Sequence, residues 1–122
     1  MARILSEEDN PANMKLAVLL LEQAGYRVIS ADDAERGLTL AREQRPDSIM
    51  MDVRLPGMDG LAATALLKRD EATRDIPEIA LTALAMKGDG ARIRDAGCDS
   101  YIAKPIRYQE VLTIVAEQLG RT

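Results

Sequence analysis

Short apolar runs alternate with longer amphipathic segments along the whole chain, and this alternation constrains the fold more than any other feature. Arg3 to Leu5, Tyr26 to Ala31, Ile49 to Met51, Ile79 to Thr82 and Ser100 to Ala103 read as strands. Helical segments lie between and after them. Asn10-Pro11 supplies an N-cap followed by proline at the first helical position, and Gly25 closes that helix. Its apolar stripe is Met14, Val18 and Leu21, with Ala17 and Leu20 beside it. Asp32 or Asp33 caps a second helix running to about Gln44, and a third runs from about Leu61 to Asp70. Met86 to Ala96 is a weaker helix, since Gly88 and Gly90 each cost about 1 kcal/mol relative to Ala, and Gly97 stops it. The last, Tyr108 to Leu119, turns Val111, Leu112, Val115 and Leu119 to one side. Strands that alternate with helices in this way predict an α/β fold: a doubly wound, five-stranded parallel sheet with five helices covering both faces.

A length of 122 residues, 47% of them apolar and 30% charged, fits one domain spanning 1–122 around one core. No output domain is expected after the last helix. The net charge is -4 and basic residues are interspersed with acidic ones, which argues against a nucleic-acid partner. The longest strictly apolar run, Leu16 to Leu21, is too short to cross a bilayer, and no signal peptide is visible, so no membrane partner is expected either. A single cysteine, Cys98, permits no internal disulfide and no thiolate metal cluster. It suits a cytoplasmic location and a buried, inert role. The chain has no histidine, which removes Ser-His and Cys-His catalysis, His-liganded zinc and a phosphohistidine carrier. Chemistry here must come from carboxylates, lysine and hydroxyls.

In a doubly wound sheet, ligands bind outside the carboxyl ends of the strands. The first strand runs into Glu8-Asp9, the third ends at Asp52, the fourth at Thr82, and the fifth just before Lys104-Pro105. Clustered carboxylates need a cation, and hard oxygen ligands that leave room for water suit Mg²⁺. A carboxylate can then attack phosphorus to form an acyl phosphate, with the metal, an ammonium and a hydroxyl neutralising the phosphoryl oxygens.

Glu8-Asp9-Asn10, Met51-Asp52 with Leu55-Pro56-Gly57-Met58-Asp59-Gly60, Leu81-Thr82-Ala83 and Tyr101-x-x-Lys104-Pro105 together resemble the response-regulator receiver family. The motifs cover nearly the whole chain, in order and at the family's spacings. Asn10 to Leu16, Ala83 to Asp89 and Gly97-Cys98 further resemble the single-domain DivK type that regulates cell polarity and division. The resemblance implies the flavodoxin-like receiver fold with strand order 2-1-3-4-5. It implies that Asp52 accepts a phosphoryl group from a sensor histidine kinase or phosphotransfer protein. Glu8, Asp9, Asp52 and the backbone carbonyl of Arg54 would hold Mg²⁺. Lys104 would contact the phosphate. Thr82 and Tyr101 would act as the switch pair, remodelling a face of helix 4, strand 5 and helix 5 for a downstream protein. Lys104-Pro105 would be a cis peptide, cheap only before proline. Beyond self-phosphorylation and slow self-dephosphorylation, with no carboxylate at Arg54 or Leu84 to position water, no enzyme activity is expected.

Two enzyme classes fall behind on the residues. A haloacid-dehalogenase-type phosphatase wants a second Asp two positions after the nucleophile, where this chain has Arg54. A dinucleotide binder wants a glycine-rich loop after the first strand, where Glu7-Glu8-Asp9 would repel phosphates. A phosphorylation-independent interaction module of the same fold is the remaining alternative, because the first strand is unusual. Ser6 and Glu7 are polar where a central parallel strand is buried on both faces, so Glu7 is expected to have a raised pKa or a cation close by. Ser48 and Glu78 are also polar, but at strand starts, where solvent is expected to reach them.

Overall fold

Parallel neighbours in a sheet cannot be joined by a tight turn, and among the described residues each crossover carries a helix. The computed structural model describes residues 2–53, 60–82, 89–103 and 107–120, with side chains left out at 89, 90, 92 and 103. In chain order the elements are β1 (Arg3–Glu7), α1 (Pro11–Gln23), β2 (Arg27–Ala31), α2 (Ala34–Gln44), β3 (Ser48–Asp52), α3 (Gly60–Arg69), β4 (Glu78–Thr82), α4 (Asp89–Ala96), β5 (Ser100–Ala103) and α5 (Tyr108–Gly120). The five strands are parallel and lie in the order β2-β1-β3-β4-β5, as the resemblance implied.

Alternation along each strand sorts side chains onto two faces. Ile4, Met50, Ile79, Leu81 and Ile102 pack with Ala17 and Leu21 of α1 and Val111 and Val115 of α5. Leu5, Ile49 and Met51 pack on the other face with Ala34, Leu38 and Ala41 of α2 and Ala63 and Leu67 of α3. A smaller cluster of Ala80, Ile93 and Cys98 fills the space under α4, so Cys98 is buried as expected.

Local signals act where the sequence places them. The Asn10 carboxamide accepts from the amides of Ala12 and Asn13 at 2.9 and 3.1 Å and starts α1 at Pro11. Asp33, rather than Asp32, caps α2 by accepting from the Arg36 amide at 2.7 Å. Gly25 and Gly97 follow their helices with φ of 97° and 113°, a region that favours glycine. The buried line of α1 differs from the predicted stripe. Ala17 and Leu21 are buried and pack into the core with Ile4 and Met50, while Met14 and Val18 are only half-buried, on the flank of that line. The predicted start of the fourth helix at Met86 lies outside the described residues.

One expectation is overturned. Ser48 and Glu78 do not meet solvent: their exposures are 0% and 1%. Both strands begin beneath helices. The Ser48 hydroxyl donates to Gln118 Oε1 of α5 at 3.0 Å, and Glu78 lies under α3 with Thr64 and Lys68.

Candidate functional site

The strand order reverses direction at β1 and β3, so the crevice for a ligand opens at their carboxyl ends. Glu8 extends the ladder, its amide donating to Ala31 O at 3.0 Å, and the Asn10 cap then turns the chain into α1. Asp52 closes β3 opposite Leu81 of β4. These two chain ends bring Glu8, Asp9 and Asp52 together, with one carboxylate oxygen from each within 4.8 Å of the others. Glu8 and Asp52 are buried and Asp9 is exposed, so the cluster is open to solvent on one side. Thr82 is buried at the end of β4, on the strand next to Asp52. Tyr101 is 41% exposed on β5. It pairs with Ala80, and Thr82 pairs with Ala103, so alternation puts Tyr101 and Thr82 on the same face of adjacent strands. Arg54, Lys104 and Pro105 lie outside the described residues.

The fit to a cation is set by these donors. Hard oxygens converge from two strand ends, and an open side remains for water, which is the ligand set Mg²⁺ prefers. Two neighbours, Tyr108 and Gly60, were given no part in the site by the sequence, although Gly60 ends one of its motifs. Burial, and then the negative charge of Glu8, raise the Tyr108 phenol above its ordinary value, so the start of α5 lies within electrostatic reach of Glu8. Only the chain's return to this end of the sheet at α5 reveals that placement. Gly60 begins α3 hard against the end of β3: a Cβ there would lie 2.6 Å from Asp52 O and 2.9 Å from Val53 Cα. Its amide donates to Val53 O at 2.9 Å, anchoring the helix beside Asp52.

Glu7 adjoins the cluster but turns the other way, into the layer between the sheet and α2. It is 1% exposed, and its Oε2 has no hydrogen-bond partner. Burial above all, and then the charges of Glu78 and Asp33, push its pKa up to about 8. The expectation of a raised pKa holds, and a structural account of how the carboxyl is housed follows with it. Gly37 of α2 lies directly over the Glu7 carboxyl, where a Cβ would collide with Oε1 and Cδ. The glycine inside α2 makes the space into which the glutamate fits.

The comparisons with known proteins agree with this geometry. A sequence model of the response regulator receiver domain matches residues 4–116. The chain belongs to that family. It is 47% identical to a polar-differentiation response regulator, DivK, of Brucella anthropi over 117 residues, covering 96% of this chain and 95% of that one. The receiver domain of a sensor histidine kinase from Pseudomonas aeruginosa, described with a magnesium ion in its active-site cleft, superposes with a TM-score of 0.90 at 39% identity, covering 98% of each chain. A chemotaxis regulator of Vibrio cholerae, CheY4, shares the fold with a TM-score of 0.91 at 24% identity, covering 98% of this chain and 99% of that one. The chain is thus similar to DivK-like regulators and to receivers carried by kinases. Receivers are regulators in two-component signalling rather than catalytic enzymes. No helix among the described residues is long and apolar enough to cross a membrane.

Proposed function

We propose that this chain is a phosphorylation-controlled binding protein, which takes a phosphoryl group on Asp52 from a histidine kinase or phosphotransfer protein. The convergence of Glu8, Asp9 and Asp52 within 4.8 Å at the switch of strand order carries this reading. An Asp52 carboxylate oxygen attacks phosphorus, the bond from phosphorus to the donor's imidazole nitrogen breaks, and the electron pair stays with the imidazole, which takes up a proton from solvent. Mg²⁺, held by Glu8, Asp9, Asp52 and the carbonyl of Arg54, would supply positive charge to the phosphoryl oxygens. Thr82 would donate its hydroxyl to the phosphoryl group, and Lys104 would pair with it.

The output is a protein contact. Tyr101 on the same face as Thr82 supports a switch in which the ring leaves its exposed position as Thr82 moves toward the phosphoryl group. That motion would remodel the surface of α4, β5 and α5 where a downstream protein binds. Release of the phosphoryl group to water is slow in this reading, and the site works in the cytoplasm.

Beryllofluoride with Mg²⁺, which occupies the place of a phosphoryl group, tests this directly. The amide spectrum of the wild type should change around Thr82 and Tyr101, and an Asp52→Asn variant should not respond. An unresponsive wild type would favour the phosphorylation-independent interaction module instead.

A further inference from the structure

Beneath α3, on the face of the sheet away from α1 and α5, lies a buried polar group that the phosphoryl chemistry does not use. Glu78 is 1% exposed and opens β4. Its Oε1 accepts from the Thr64 hydroxyl at 3.1 Å, and its Oε2 has no hydrogen bond but faces Lys68 Nζ at 3.6 Å. The Thr64 oxygen lies at the same distance, 3.1 Å, from Gly60 O, and Cys98 Sγ is 3.6 Å away. A hydroxyl carries one proton and can donate to only one of these acceptors at a time.

Lys68 is contested in the same way. Its ammonium donates to Ile76 O at 3.0 Å, to Arg74 O at 3.2 Å and to Asp99 Oδ2 at 3.4 Å, which uses its three protons. Glu78 competes with those acceptors most strongly when it is ionised, because a carboxylate attracts the ammonium far more than a neutral carboxyl does. Asp99 also accepts from the Glu78 amide at 2.8 Å, so the carboxyl is framed by Thr64 and Lys68 from α3, by Cys98 and Asp99 from the segment before β5, and by Glu7 across the same face. Gly97 completes the arrangement, since a Cβ there would lie 2.7 Å from Lys68 Cγ.

We propose that Glu78, Lys68 and Thr64 form a proton-operated latch that sets how the first turn of α3 seats against the end of β3. With Glu78 ionised, Thr64 donates to Oε1 and Lys68 is drawn toward Oε2, fastening α3 to the start of β4. With Glu78 protonated, the carboxyl O–H can donate to the Thr64 oxygen, and the Thr64 proton turns to Gly60 O, one turn back at the helix end that abuts Asp52. The latch therefore reads proton activity on one side of α3 and writes it into the anchor beside the phosphoacceptor. Burial moves the carboxyl to about 7, against the opposing pull of Lys68 and Thr64, which places the change near neutrality.

The latch stands apart from phosphorylation and is tested without it. Side-chain carboxyl and backbone amide resonances would be followed between pH 5 and pH 9. The Gly60 and Thr64 amides should titrate with the same midpoint as the Glu78 carboxyl, and Glu78→Gln should leave both amides flat. Lys68→Met should raise the shared midpoint by about one pH unit, since an opposite charge is lost. That second variant keeps the idea falsifiable if Glu78→Gln does not fold. Gly60 and Thr64 amides that ignore pH, that follow Glu7 instead, that still titrate in Glu78→Gln, or whose midpoint is unmoved in Lys68→Met would each overturn it.

Discussion

At the scale of single residues, Glu7 shows how one buried carboxyl can set the pH response of the protein. Its pKa is raised from 4.5 to about 8, and that of Glu78 from 4.5 to about 7. In the native state both therefore hold protons over a range where the unfolded chain has lost them. Stability from these groups is complete below about pH 4.5 and is lost as pH rises from there through the native values. Chemical denaturation at pH 6 and at pH 9 should show a clear drop at the higher pH. Glu7→Gln, which keeps the shape but cannot ionise, should reduce that drop by on the order of 3 kcal/mol. The loss accrues at about 1.4 kcal/mol per tenfold fall in proton activity until Glu7 itself ionises. An unchanged slope in that variant would mean Glu7 ionises at no cost. The presence of a misfit at Ser6-Glu7 was legible in the sequence, because period-two burial forbids a bare charge in a central strand. Its resolution was not: nothing local links Glu7 to Gly37, thirty positions away.

At the scale of elements, that link makes a coupled pair. Gly37→Ala alone should destabilise by about 1–3 kcal/mol through overpacking against the glutamate, although alanine favours helix. In a Glu7→Ala background the same change should turn neutral or stabilising by about 0.5–1 kcal/mol. A double-mutant cycle by urea denaturation measures the difference, and additive effects would refute the contact. Strands and helices were readable because hydrophobic period, Asn10-Pro11, Gly25 and Gly97 all act locally. The burial of Ser48 and Glu78 was not readable, since it depends on Gln118 of α5 and on Thr64 and Lys68 of α3 lying over the strand starts. The influence of Glu8 on Tyr108 escaped for the same reason: the two are a hundred residues apart in the chain.

At the scale of the whole molecule, the topology gathers the acidic residues, and a cation held among them would relieve their repulsion. The carboxylates of Glu8, Asp9 and Asp52 should make stability depend on Mg²⁺, because a cation that binds only the folded chain stabilises it by about 2.7 kcal/mol at a hundred times its Kd. Mg²⁺ should raise the melting temperature of the wild type, chelation should reverse this, and Asp9→Asn should blunt it. An equal rise in wild type and variant would place the ion elsewhere. This part of the site was legible before any coordinates, since motifs at the ends of parallel strands must meet once the strand order is known.

The most direct measurement is phosphoryl transfer itself. Wild-type protein and Asp52→Asn would be incubated with acetyl phosphate and Mg²⁺, and the product mapped by peptide mass spectrometry after trapping of the acyl phosphate. The account predicts one Mg²⁺-dependent modification, on Asp52, that disappears on chelation and in the variant. Modification of another residue, or none in the folded wild type with Mg²⁺ present, would contradict it.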